Sequence, residues 1–181
     1  MREARYTRTA IAFHWLMAVV LVGLFCLGTY MHELPLSPEK LRLYAWHKWA
    51  GISAFLLALS RLGWLLAHRP PAWPVSVPRW QEVLARGVHL LLYVLMLAIP
   101  LSGWLMSSAK GFPTIYLGVL PLPDLVQRDR ELADLLQRLH FVLNLCLAAL
   151  VVVHVAAVLK HRLLDRDEVF GRMLPFRAGK R

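Results

Sequence analysis

The chain has 181 residues, 58% of them hydrophobic, and a formal net charge of +10. Its mean hydropathy of +0.51 excludes an ordinary soluble domain. About half of it lies in four stretches long enough to cross a bilayer core that needs about 20 helical residues, which leaves no room for a separate soluble domain.

The predicted spans are residues 9–31, 45–67, 87–107 and 139–159, an all-α integral membrane four-helix bundle read as one domain over 1–181. The first span is too long for a signal-peptide core, lacks a small-x-small cleavage site and contains His14, so it is kept as a span. The second carries His47 near its start and Arg61 fourteen residues later. The loop after it holds Pro70, Pro71, Pro74 and Pro78 and cannot be helical throughout. The third span begins near His89, and Pro100 with Gly103 predicts a kink in it. The third loop, residues 108–138, is the longest, and the periodicity of 128–138 extends the fourth helix out of the membrane. Cys26 and Cys146 lie inside spans and read as small core residues. Trp46, Trp49, Trp64, Trp73, Trp80 and Trp104 fall near the predicted interfaces, as an aromatic belt would.

The charge sets orientation rather than pointing to nucleic acid. Lys and Arg number 13 in the two terminal segments and the second loop, against 6 in the first and third loops. The excess of positive charge on one side places both termini in the cytoplasm.

His140 and His154 are fourteen residues apart in the fourth span. That is about 3.9 helical turns, so both rings share nearly one face, about 21 Å apart along the axis. Ionisable rings in lipid are costly unless they serve a function. Depth within the spans pairs His47 with His140 on the outer side and His14 with His154 on the inner side. Two histidines from different helices at one depth suit bis-imidazole ligation of a haem, and two such pairs suit two haems. With no C-x-x-C-H motif, any haem is held by coordination and packing. His89 also lies at inner depth and could replace His14, bond a haem propionate or line a quinone pocket; His14 is preferred. Arg61 shares a face with His47 but sits at inner depth, where a haem propionate is its natural partner; the plainer reading is a side chain reaching the surface. His161, seven residues past His154, suits proton exchange with a bound quinone, or is a surface histidine in a basic tail. His32 and His68 read as solvated loop residues. Ser102, Gly51, Gly63 and Gly103 offer small surfaces for close approach of a helix or a porphyrin.

These residues sit in segments that together resemble the bacterial cytochrome b561 family: FHWLMA at Phe13–Ala18, LPLSPEKLRLYAWHKWAGI at Leu34–Ile52, HRPPAWP at His68–Pro74, IPLSGWLMSSAKG at Ile99–Gly111, and the His140/His154 ladder. The ligand layout is also similar to the cytochrome b subunits of formate dehydrogenases and nickel–iron hydrogenases, where the first, second and fourth helices supply the ligands. That likeness implies His14, His47, His140 and His154 as ligands of two b haems. It further implies an inner-membrane oxidoreductase that oxidises superoxide at the periplasmic face and reduces ubiquinone, with His161 at a quinone-contacting position. Arg42, Lys48, Lys110 and Arg138 are then candidates to steer the superoxide anion; the periplasmic loops have six basic and six acidic residues, so steering must be local. The alternative is a cytochrome b subunit that links a separate periplasmic redox enzyme to the quinone pool and docks it on residues 108–138. A small membrane protein whose histidines only pack or bind a metal fits the ladder poorly.

Overall fold

The computed structural model describes residues 5–174, so Arg2, Arg177, Lys180 and Arg181 of the charge count lie outside the described residues. Four helices dominate: α1 (Arg8–Glu33), α2 (Pro38–Ala67), α3 (Arg79–Ala109) and α4 (Arg130–Lys160). Each is long and apolar enough to cross a membrane. Large apolar side chains such as Val19, Val22, Leu90, Val142 and Val152 face outward from them. A surface of that kind calls for lipid rather than water.

Local chemistry fixes the helix ends. Thr7 Oγ1 accepts the Ala10 N–H at 3.2 Å and also the Trp64 indole N–H at 3.0 Å, which ties the start of α1 to the end of α2. Ser37 caps α2, where Pro38 takes the first position. The Lys40 ammonium donates to the carbonyls of His32 and Leu34, leaving few orphan acceptors in the α1–α2 turn. Asp129 Oδ1 accepts the Leu132 N–H at 3.0 Å at the start of α4. The Asp129 N–H donates to the Ala109 carbonyl at 3.0 Å and so joins the end of α3 to that start. Pro100 lies inside α3 and removes one rung of its hydrogen-bond ladder.

Successive helices pack side by side, most extensively α3 on α4, whereas α4 does not close tightly on α1 or α2. At mid-depth Met17, Ala58 and Met96 form one buried cluster, and Leu95, Ile99 and Leu147 another. The first and last described residues meet at one end of the bundle, here the terminal end, where Arg5 donates to the Leu174 carbonyl and the Trp15 indole N–H to that of Met173. The third loop covers the opposite end with a short antiparallel hairpin, β1 (Ile115–Tyr116) and β2 (Leu120–Pro121). Its turn places Leu117 and Gly118 at positive φ, 53° and 75°. Two-residue strands carry no alternation a sequence reading could detect, so the hairpin is a finding of the structure. It is strapped to α2 by the Trp49 indole N–H on the Ile115 carbonyl (2.6 Å) and by Ser53 against the Tyr116 hydroxyl (2.8 Å).

Candidate functional site

The intramembrane histidines form two tiers. At the hairpin end, His140 of α4 is held through one nitrogen: Nδ1 lies 3.1 Å from the Ile99 carbonyl and 2.9 Å from Ser102 Oγ. Ser102 donates its own proton to the Ile99 carbonyl at 2.8 Å, so both groups accept from an Nδ1–H. The lone pair of His140 is thereby left on Nε2. The partner ring, His47 of α2, lies within electrostatic reach of His140. Its Nδ1 is buried with no hydrogen-bond partner among the described residues. Buried polar atoms are nearly always matched, so this one calls for a partner that the folded chain does not supply.

Each ring of this tier packs on a glycine of the neighbouring helix. A Cβ on Gly28 would come 3.2 Å from His47 Cε1, and a Cβ on Gly103 would come 3.2 Å from His140 Cε1. Gly51, one turn past His47, is half-buried yet has nothing within 4 Å of where its Cβ would stand, so there is room beside the ring.

At the terminal end three rings meet. His154 of α4 faces His14 of α1 with ring centres 6.2 Å apart and planes at 60°. His89 of α3 lies 5.4 Å from the same His154 ring. Arg61 of α2 joins them: its Nη2 donates to His14 Nδ1 at 3.2 Å and its guanidinium lies 5.2 Å from the centre of the Tyr93 ring. Below Arg61 a cavity of about 70 Å³ is lined by Tyr6, Trp64, His68, Tyr93 and Met173. Burial raises the Tyr6 phenol above its ordinary value, against the pull of Arg172 and Arg61. The buried Leu147, seven residues from both His140 and His154, lies between the tiers with Leu95 and Ile99.

A sequence model described as prokaryotic cytochrome b561 matches residues 5–176. The chain belongs to the prokaryotic cytochrome b561 family. It is similar to the Cytochrome b561 homolog 2 of Escherichia coli (strain K12), 34% identical over 94% of this chain and 91% of that one. It is also similar to the Cytochrome b561 homolog 1 of that organism, at 28% over 96% and 98%. A third relative is named "Probable superoxide oxidase CybB", from Yersinia pestis, at 26% over 97% and 98%. As a member of this family the protein is a multi-pass membrane helical bundle that binds b-type haem and transfers electrons.

The residues present fit such a group. The His154 ring has His14 of another helix at 6.2 Å and His89 of a third at 5.4 Å, so the terminal end offers the two nitrogen donors that a b haem takes. The open side of α4, the unmatched His47 nitrogen and the glycines beneath His47 and His140 fit it too. One contact must change. While Arg61 donates to His14 Nδ1, the His14 proton sits on Nε2; ligation through Nε2 requires Arg61 to find another acceptor, which an acidic substituent of the cofactor provides.

The remaining sequence candidates are dispersed. The Lys48 ammonium donates to Ser107 Oγ (3.2 Å) and the Pro113 carbonyl (3.2 Å), which holds the third loop over the hairpin-end tier. Lys110 bonds Gln137, and burial lowers its ammonium below the ordinary lysine value against the opposing effect of Asp134. Arg42 stacks over Trp46, its guanidinium 5.5 Å from the ring centre, and Arg138 is exposed. His161 lies past the end of α4, bonded to Asp167. His32 falls in the last turn of α1, and His68 ends α2 with its ring stacked 3.8 Å from Trp64. The sequence reading missed Gly28, Tyr93 and Asp167, and treated Ser102 only as a small residue. Their roles depend on the register between helices and on a chain reversal, which no periodicity records.

Proposed function

We propose that the protein is a superoxide:ubiquinone oxidoreductase of the bacterial inner membrane, holding two b haems, one per histidine tier. The observation that carries this reading is the pair of tiers at the two ends of one α4 face, each joining α4 to a ring from another helix. The likeness along nearly the whole chain to a relative named as a probable superoxide oxidase supports the choice of donor. The excess of positive charge at the terminal end supports a cytoplasmic position for that end and a periplasmic one for the hairpin end.

When bound, the haem irons carry one electron each. The chain's own residues do the rest. His47 and His140 hold the outer group, His14 and His154 the inner one, and Arg61 takes an inner propionate. His89, 5.4 Å from His154, lines the inner site toward quinone. Lys48, Lys110, Arg42 and Arg138 supply local positive charge for the approach of superoxide. Two superoxide ions give up one electron each and leave as oxygen; one ubiquinone takes both electrons with two protons, next to His161, and leaves as ubiquinol.

The test follows haem absorbance in the purified oxidised protein while superoxide is generated, with and without superoxide dismutase, before ubiquinone is added. Reduction that the dismutase abolishes, then reoxidation by ubiquinone, is the expected result. One observation favours a second reading, an electron-transfer subunit that docks a periplasmic enzyme: the hairpin tip is apolar and exposed, Val119 by 80% and Leu117 by 57%. Ready reduction by quinol with none by superoxide would select that reading.

A further inference from the structure

Beyond the end of α4 the chain makes an unusual reversal. Residues His161–Asp165 form a π-turn, and Arg166 follows in the left-handed conformation at φ 52°. The amides of Arg166 and Asp167 then both turn back to the His161 carbonyl. A non-glycine residue at positive φ is uncommon, and single π-turns recur at functional positions. The outcome of this turn is one contact: His161 Nδ1 lies 2.5 Å from Asp167 Oδ2. The second oxygen of Asp167 accepts the Val169 N–H at 3.0 Å, so the carboxylate is fixed from both sides. The His161 and Asp167 side chains are only 12% and 9% exposed. Asp165 also reaches Nδ1, at 3.2 Å, but it is more exposed and its Oδ2 is taken by the Lys160 ammonium. Asp167 is therefore the carboxylate committed to His161. The Lys160 ammonium also stands where a divalent cation shared by these three side chains would need Asp165 free.

We propose that Asp167 is a positioning residue for proton delivery to the electron acceptor. It holds the proton of neutral His161 on Nδ1, so that Nε2 is the nitrogen that passes protons. This rests on the reading of the terminal end as the ubiquinone-reducing face. Each delivery breaks the Nε2–H bond of protonated His161 and forms one O–H bond on the reduced quinone. His161 is left neutral with Nδ1–H still on Asp167, and Nε2 regains a proton from cytoplasmic water. Two such deliveries, with the two electrons, make ubiquinol. His161 is placed for this, seven residues or about 10.5 Å along the helix from His154. Leu163 and Leu164 on the same turn are 64% and 76% exposed, an apolar approach for an isoprenoid substrate from the bilayer.

The experiment uses the full haem-loaded chain in lipid nanodiscs, chemically reduced and then mixed rapidly with a short-chain ubiquinone. Asp167→Asn is expected to slow haem reoxidation about tenfold, with the half-saturating quinone concentration unchanged. Asp167→Glu restores part of the rate, and Asp165→Asn stays within about threefold of the parent. His161→Ala and the double variant His161→Ala/Asp167→Asn are expected to be equally slow. Nitrogen-15 NMR of labelled histidines supplies a readout independent of quinone: His161 is the Nδ1–H tautomer in the parent and a mixture in Asp167→Ala. An unchanged rate in Asp167→Asn, or a further loss when it is added to His161→Ala, overturns the proposal, as does a mixed tautomer in the parent. If ubiquinone does not reoxidise the parent at all, the functional reading fails and delivery to quinone fails with it. The tautomer then still decides whether Asp167 positions His161.

Discussion

His14 and His154 face each other across the terminal end of the bundle with ring centres 6.2 Å apart, and His89 approaches the same His154 ring to 5.4 Å. Ligands from the first, second and fourth helices, the layout that the resemblance implies, pair His14 with His154 and leave His89 beside the site. His14→Ala is expected to lower the haem-to-protein ratio of the purified protein by about half, and His89→Ala to leave it unchanged. The pyridine haemochrome assay checks both. Full haem in His14→Ala with loss in His89→Ala would exchange the two assignments. His140→Ala is likewise expected to remove about half of the haem, with the loss in the other spectral component.

Ser102 and the Ile99 carbonyl together fix His140 through Nδ1. Such outer contacts commonly change metal affinity by about 10–100-fold when removed. Ser102→Ala leaves the Ile99 carbonyl in place, so the expected change is at the lower end, about tenfold weaker retention of the hairpin-end haem during detergent exchange. Ser102→Val, which fills the space as well, is expected to lose more. A titration of haem into the apoprotein measures both; equal affinity in parent and Ser102→Ala would show that the carbonyl alone suffices.

Much of this architecture is legible from residue types and helical spacing. The 14-residue interval between His140 and His154 states their common face as soon as the segment is known to be helical, and an arginine in an apolar span announces a need for an anion. Arg61 lies on His14 in the structure, where the sequence offers only a shared depth. Gly28 was not legible: nineteen residues separate it from His47, and only the register of α1 against α2 brings them together. Asp167 was not legible either, because the π-turn and the left-handed Arg166 that return it to His161 carry no periodic signal. The hairpin is unseen for a related reason, being too short to alternate.

The glycines give a test of steric fit. A methyl group at Gly28 or Gly103 would stand 3.2 Å from a ring carbon, so the histidine must shift by a few tenths of an ångström. Gly28→Ala and Gly103→Ala are expected to broaden or shift the spectrum of the hairpin-end haem alone, and Gly103→Val to abolish it. Gly23 faces outward on α1 with nothing near its missing Cβ. Gly23→Ala is therefore expected to leave the spectrum intact and to stabilise the helix by about 0.5–1 kcal/mol, the usual alanine advantage. Low-temperature difference spectra and thermal melts separate the two effects. A disturbance from Gly23→Ala equal to that from Gly103→Ala would mean that the rings are not what the glycines accommodate.

Arg61 links the terminal-end tier to the cavity beneath it. Its Nη2 donates to His14, its guanidinium carbon lies 5.2 Å from the centre of the Tyr93 ring, and it lines the space bounded by Tyr6 and Trp64. A fixed positive charge beside an iron favours the reduced state, which carries one positive charge fewer. Arg61→Gln keeps hydrogen-bonding capacity and removes the charge. It is expected to lower the midpoint potential of the terminal-end haem by tens of millivolts while the hairpin-end haem stays put. Arg61→Lys is expected to fall between, because a compact ammonium keeps the charge but not the paired donors that suit a carboxylate. Spectroelectrochemical titration reads both potentials in one experiment. Equal shifts at the two haems would point to a change spread through the bundle rather than to a charge held beside one site. No shift in either would place the guanidinium at the membrane surface when haem is bound, away from His14.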